Sequence, residues 1–359
     1  MKKVTLILAG TLLLASTTVA INSAVAADKP VLLKTPIYYG SHLPGLGSSI
    51  KYVADNIATL SNGSVKMKMY EPGKLIGSKE ILDAVSTGKV QAGFATPGNW
   101  TGKMPAAPLF SAIPFGPEAP EYLAWFLHGN GAKLHQELYD SAGLNVKTQM
   151  CGIIAPETSG WFPKEINGPG DLKGLKMRYF GLGALVMEKL GVSTVGLPGG
   201  EIFPALEKKA IDATEFSMPA IDKRIGVHKI LKYNYFPGWH QQATTFELLI
   251  NKDVWNGMND HQKAVIEHIC KASTLNALAE GEALQAPVML ENVNKNGVTN
   301  KYWSEDMLAL FKTKWDEVAS EQSAKDPMFK KIYDDLNAFR ASYDVWEANA
   351  FLPRPKPSL

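Results

Sequence analysis

Two charged side chains stand where a strand is expected to give way to a helix. Arg178 falls near the end of Leu175–Phe180, before a glycine-rich turn, and Glu215 near the end of Ala210–Phe216. Ligands of open α/β sheets bind outside the carboxyl ends of the strands, so a fixed cation and a fixed anion would face one crevice there. The alternative for each is a solvated strand-end charge. Asp212 and Glu215 are no acid/base dyad, because residues three apart on a strand point to opposite faces.

Other chemistry is not supported by the spacing. The seven histidines (His42, His128, His135, His228, His240, His261 and His268) include no HxxxH or HExxH pair to share a zinc ion. No GxSxG elbow or Walker loop occurs. Gly181-Leu182-Gly183 resembles half a dinucleotide fingerprint, but Val186 holds the third glycine position, where a Cβ keeps the helix off the strand. Cys151 and Cys270 are too few for a disulfide scaffold or a cysteine zinc site. Cys270 shares an apolar helical face with Val265, Ile266 and Ile269. Pairing is open to an exported protein, yet that setting favours buried free thiols.

The elements that must carry these residues alternate between strand and helix, which predicts an α/β architecture. Strands are expected at Val31–Tyr39, Ser64–Tyr70, Val90–Phe94 and Leu144–Cys151, with Ile153–Pro163 running back. Helices are expected at Gly47–Leu60 and Ser78–Ser86, and over Glu118–Tyr139 with a break at His128–Gly131. A second block adds strands Leu175–Phe180, Ser193–Gly196, Ala210–Phe216 and Phe246–Asn251, and helices Gly183–Leu190 and Ile202–Lys209. Asn259 and Gln262 form a capping box opening a helix that runs into the 290s, with a kink expected at Pro287. Helices near Glu305–Glu321 and Met328–Trp346 follow.

At 359 residues the chain suggests two domains. It is 45% hydrophobic and 20% charged, the composition of a folded soluble protein. A net charge of +2 argues against a nucleic-acid binder. Lys2 and Lys3, the apolar stretch Val4–Ala20 and Ala24-Val25-Ala26 read as a secretory signal peptide cut after Ala26. Its removal takes two lysines and no acids, leaving the mature chain formally neutral. The tail Pro353–Pro357 reads as an extended, solvated end.

Several segments in one order resemble the substrate-binding proteins of TRAP (tripartite ATP-independent periplasmic) transporters. They are Gly174–Arg178, Gly200–Glu207 and Ile211–Phe216. Ser159–Phe162, Phe236–Trp239 and Phe329–Tyr333 resemble the 2-oxo-acid-binding branch in particular. The resemblance implies a two-lobed, periplasmic-binding-protein-like α/β fold, with a ligand cleft between the lobes and a helical C-terminal region. The expected layout is a signal peptide at 1–26, the first lobe mainly 27–152, the second mainly 153–250, and a helical region at 251–359 packing across both.

The resemblance further implies that Arg178 holds a substrate carboxylate, which suits a guanidinium's parallel donors. A metal ion, chelated by the substrate, would be held by Glu157, Glu215, the carbonyl of Phe216, and Gln241. In the branch pattern the first ligand is commonly Gln and the last Glu; the exchange here conserves the carboxylate count. Two glutamates and one substrate carboxylate, opposed by Arg178, are balanced by a divalent ion. An all-oxygen set suits calcium or sodium and disfavours zinc, with calcium ahead. Asn99 and Trp100, in a loop of the first lobe, are placed to cover the ligand on closure; Trp100 could equally be core packing. Tyr39 and His42 end the first strand and could line the cleft, while Trp239 reads as structural. The function expected is a non-enzymatic periplasmic receptor for a small 2-oxo or 2-hydroxy monocarboxylate resembling pyruvate or lactate. It would dock on the membrane subunits of a TRAP transporter. The alternative is an exported metal-dependent enzyme acting on a small organic acid.

Overall fold

The computed structural model describes residues 29–352. The expected signal peptide and the tail Pro353–Pro357 lie outside the described residues. In chain order the strands are β1 Val31–Pro36, β2 Val65–Tyr70, β3 Ala92–Ala95, β4 Val146–Ile154, β5 Gly160–Phe162 and β6 Lys176–Arg178. They continue with β7 Ser193–Val195, β8 Ala213–Thr214, β9 Tyr233–Phe236, β10 Thr244–Asn251 and β11 Thr299–Tyr302. The helices are α1 Ser48–Leu60, α2 Ile81–Ser86, α3 Ala119–His128, α4 Gly131–Ser141, α5 Gly181–Lys189 and α6 Gly199–Glu207. The last five are α7 Pro219–Arg224, α8 Lys252–Asn256, α9 Asp260–Asn296, α10 Glu305–Lys325 and α11 Pro327–Ala350.

Two sheet layers, one per lobe, organise these elements; the first is a two-stranded and a three-stranded sheet joined by one bridge. In the first lobe, β1 and β2 run parallel, the Ile37–Phe94 bridge joins β1 to β3, and β10 lies antiparallel between β3 and β4. The second lobe carries a mixed sheet in the order β11-β9-β5-β8-β6-β7. β2 alternates Val65, Met67 and Met69 with exposed lysines, as a strand buried on one face should. β10 is buried at every position, as suits an interior strand covered on both faces.

The chain passes between the lobes twice within one small region. It leaves β4 at Ile154 and enters the second sheet at Gly160; it leaves β9 at Phe236 and returns to the first sheet at Thr244. The crossing segments touch, Glu157 N donating to Gln241 O at 3.1 Å. Two sequence expectations change accordingly. The stretch after Ile153 is not a strand running back beside its predecessor, because β4 continues to Ile154 and the chain then changes sheets. β10, grouped above with the second block, belongs to the first sheet, where a strand buried at every position fills an interior place.

Helix α9 starts on the expected capping box, Asn259 accepting from Gln262 N while the Gln262 side chain accepts from Asn259 N. Its 37 residues extend about 55 Å at 1.5 Å per residue. It packs on β4 and α1 of the first lobe and on α7 of the second, tying the two together. Cys270 on α9 and Cys151 on β4 form a disulfide, which corrects the expectation of free thiols. The apolar face of Cys270 packs directly on β4, so burial brings the sulfurs together instead of isolating them. No helix among the described residues is long and apolar enough to cross a membrane.

Candidate functional site

Both crossings deliver side chains to one buried point. Glu157 comes from the first and His240 and Gln241 from the second, while Glu215 arrives at the carboxyl end of β8. Close backbone approach makes this possible. A Cβ on Gly238 would lie 2.1 Å from Glu157 O, so only glycine lets the Pro237-Gly238-Trp239 turn press against the first crossing. A Cβ on Gly183 would lie 2.7 Å from Tyr179 Cε1 and 2.9 Å from His240 Cβ, so the second glycine of Gly-Leu-Gly makes room for those two side chains. Trp239 stacks on Phe311 at 4.6 Å and on Phe115 at 5.7 Å, which fixes the turn to the helical region.

Each glutamate has one oxygen tied and one turned inward. Glu157 Oε1 accepts from Ser217 Oγ at 3.3 Å and Thr244 Oγ1 at 3.2 Å. Glu215 Oε2 accepts from Arg178 Nη1 and from Phe180 N, both at 3.0 Å. Ligand atoms of Glu157, Glu215 and His240 all lie within 4.8 Å of one another, and the three residues are buried. His240 Nε2 is 3.6 Å from Glu215 Oε1. The Gln241 amide nitrogen donates to Thr244 Oγ1 at 2.8 Å, which turns its oxygen toward the two carboxylates. The reverse orientation would instead donate to Glu157 Oε2 at 3.2 Å and Glu215 Oε1 at 3.3 Å. The reverse arrangement satisfies both carboxylates within the protein; the first brings three oxygens together beside His240 Nε2, the set that a hard cation would take. On that donor chemistry the residues fit a bound calcium or sodium ion.

Electrostatics sharpen the contrast between the glutamates. Burial, reinforced by the charges of Glu215 and Asp222, holds the Glu157 carboxyl well above the usual range. Burial also pushes Glu215 upward, but the Arg178 guanidinium and then His240 outweigh it and bring Glu215 below its ordinary value. Arg178 is itself buried, with Nε donating to Leu197 O at 3.2 Å and Nη1 also donating to Glu215 O. Its guanidinium carbon lies 5.0 Å from the centre of the Phe216 ring. Nη2 has no protein partner among the described residues and is the donor left for a ligand.

Beside Arg178 is a cavity of about 210 Å³ lined from both lobes, by Tyr38, Tyr39 and Asn99 on one side and Arg178, Phe180 and Phe216 on the other. That is below the roughly 300–1,000 Å³ of sites for drug-sized ligands and suits a molecule of few heavy atoms. Asn99 lines this cavity, its amide donating to the Tyr39 hydroxyl at 3.2 Å. Trp100 turns the other way, donating from its indole to Glu247 Oε1 at 2.8 Å inside the first lobe. A buried indole N–H needs a partner, and Glu247 supplies it. His42 is exposed and does not line the cavity. Asp212 accepts from Lys176 N at 3.0 Å, away from Glu215, as the strand geometry requires. The sequence reading missed His240, which no spacing singled out, though its place between Trp239 and Gln241 was a signal.

The fold and this site are those of a solute receptor. The model of the DctP family, described as bacterial extracellular solute-binding protein, family 7, matches residues 43–326, and the chain belongs to that family. It is a solute-binding protein of TRAP transporters, not an enzyme. A curated relative, the monocarboxylate 2-oxoacid-binding periplasmic protein of Nostoc sp., is 34% identical over 294 residues, 82% of this chain and 80% of its own. A TRAP solute-binding protein of Bordetella bronchiseptica superposes with a TM-score of 0.87 at 28% identity, covering 90% of this chain and 95% of its own; it was crystallised with copurified calcium and picolinate. Another, from Pseudoalteromonas atlantica, gives 0.85 at 28% identity over 90% and 97%, and holds sodium and pyruvate.

Proposed function

We propose that the protein is the periplasmic receptor of a TRAP transporter for a small 2-oxo or 2-hydroxy monocarboxylate, bound together with a calcium ion. The observation that carries this reading is the convergence of Glu157, Glu215 and Gln241 on one buried point, beside an arginine with a free donor. Arg178 Nη2 donates to the acid's carboxylate, and Asn99 meets the acid from the first lobe. Glu157, Glu215, the Phe216 carbonyl and Gln241 hold the ion. The ion supplies charge neutralisation and coordination to a carboxylate oxygen and the 2-oxygen together, which selects against acids lacking that second oxygen. Charge favours calcium over sodium: two glutamates and one acid against Arg178 leave a negative excess that a divalent cation neutralises better, and nearby Asp222 adds to that excess. The ligands of the solved relatives support chelation, since picolinate and pyruvate each place a second donor atom next to the carboxylate. With the cavity lined from both lobes, closure buries the acid, and the closed form docks on the transporter's membrane subunits.

A thermal-shift and calorimetric screen of pyruvate, lactate and propionate, with and without chelator, tests the reading. Pyruvate and lactate are expected to bind only with calcium present, and propionate not at all. Equal binding of propionate, or no effect of chelator, would overturn it.

A further inference from the structure

Asp222 is fully buried on α7, has no salt-bridge partner among the described residues, and does not line the cavity. A carboxylate in that position is expensive unless donors compensate it. Three converge on it. Trp161 Nε1 donates to Oδ2 at 2.7 Å, Thr158 Oγ1 to the same oxygen at 3.5 Å, and Ser217 N to Oδ1 at 3.0 Å. Thr158 directly follows Glu157, Ser217 directly follows Phe216, and Trp161 pairs across the sheet with Thr214, the residue before Glu215. The two segments also hold each other, through Thr158 N to Ser217 O at 3.2 Å. α7 is in turn fixed to α9 by Ala220 N donating to Gln285 Oε1 at 2.9 Å.

Resting on the reading above, we infer that Asp222 is the positioning residue of the ion site, clamping the segments that carry Glu157, Glu215 and the Phe216 carbonyl to the α7–α9 scaffold. It touches neither ion nor acid. Its two oxygens set the spacing between ligands that reach the site from different parts of the chain. Partners of metal-ligating segments act in this way, and their removal typically weakens metal binding roughly 10- to 100-fold.

The experiment compares wild type with Asp222→Asn and Trp161→Phe by calorimetric titration with calcium alone, and then with pyruvate at saturating calcium. The ligand-free melting temperature of each protein is recorded alongside. The asparagine keeps the volume but offers one oxygen, so either the Trp161 or the Ser217 N–H is left facing an amide NH2. Calcium affinity is expected to fall roughly 10- to 100-fold in Asp222→Asn and less in Trp161→Phe. Pyruvate affinity at saturating calcium should move far less, and the melting-temperature increment from calcium should shrink. Unchanged calcium affinity and increment in both variants, against an intact wild-type response, would make Asp222 a folding residue only and sink the inference. Trp161→Phe decides alone where Asp222→Asn does not fold. A wild type that binds pyruvate independently of calcium overturns the metal reading itself, and this inference with it.

Discussion

Replacing Arg178 with methionine should separate the acid from the ion. The guanidinium sits 3.0 Å from Glu215 Oε2, an attraction of about 5.5 kcal/mol at an effective dielectric near 20, before desolvation is subtracted. Methionine keeps most of the packing against Phe216 but removes the cation that pairs with Glu215 and that the proposed function assigns to the ligand carboxylate. Truncating one partner of a buried, hydrogen-bonded charge pair costs about 2–5 kcal/mol, roughly a 30- to 4,000-fold weaker Kd for pyruvate. Calcium without acid should respond in the opposite sense. A fixed positive charge next to the ion disappears while both carboxylates stay, so its affinity should hold or rise. Arg178→Lys keeps the charge, but an ammonium cannot reach Leu197 O, the Glu215 carboxylate and a ligand together. The loss there should be smaller, about 1.5–3 kcal/mol, the worth of a charged hydrogen bond. Calorimetry with each component separately reads both signs, and a circular-dichroism melt confirms folding. A folded Arg178→Met protein that binds pyruvate as wild type does would refute the reasoning.

Two further outcomes follow from the scaffold. The Cys151–Cys270 disulfide joins residues 119 apart, and the chain-entropy model gives about 4.7 kcal/mol for a loop of 100 residues. Reduction, or a double Cys→Ser variant, should lower the chemical-denaturation stability by about 2–5 kcal/mol, and identical unfolding curves with and without reductant would contradict it. Gly238→Ala drives a Cβ to 2.1 Å from Glu157 O, backbone that cannot swing aside. It should destabilise by about 1–3 kcal/mol and also weaken calcium, because the two crossings are forced apart. Wild-type calcium affinity in that variant would show that the contact does not hold the site.

The split between local and long-range information explains what could be read directly. The capping box at Asn259 and Gln262, the alternation of β2 and the strand-end location of Arg178 and Glu215 depend on neighbours within a few residues. Sequence order carries them, and the resemblance to a family then supplied a role for each site residue. Element ends were less legible. The stretch Ala210–Phe216 reads as a seven-residue strand, but only Ala213–Thr214 pair, because pairing depends on which neighbours reach the sheet. Trp100 lies next to Asn99 in sequence yet faces Glu247, a partner 147 residues away.

By itself, then, the sequence determined an α/β chain with a cation and an anion at strand ends and a long capped helix behind them. The tertiary structure alone decided that the chain crosses between lobes twice at one point, because a strand's place in a sheet is set by pairing across distant segments. From that crossing comes the meeting of Glu157 with His240 and Gln241 beside Glu215. The seating of α9 on β4 closed the Cys151–Cys270 bond in the same way, since a thiol's apolar surroundings do not say which other thiol they contain.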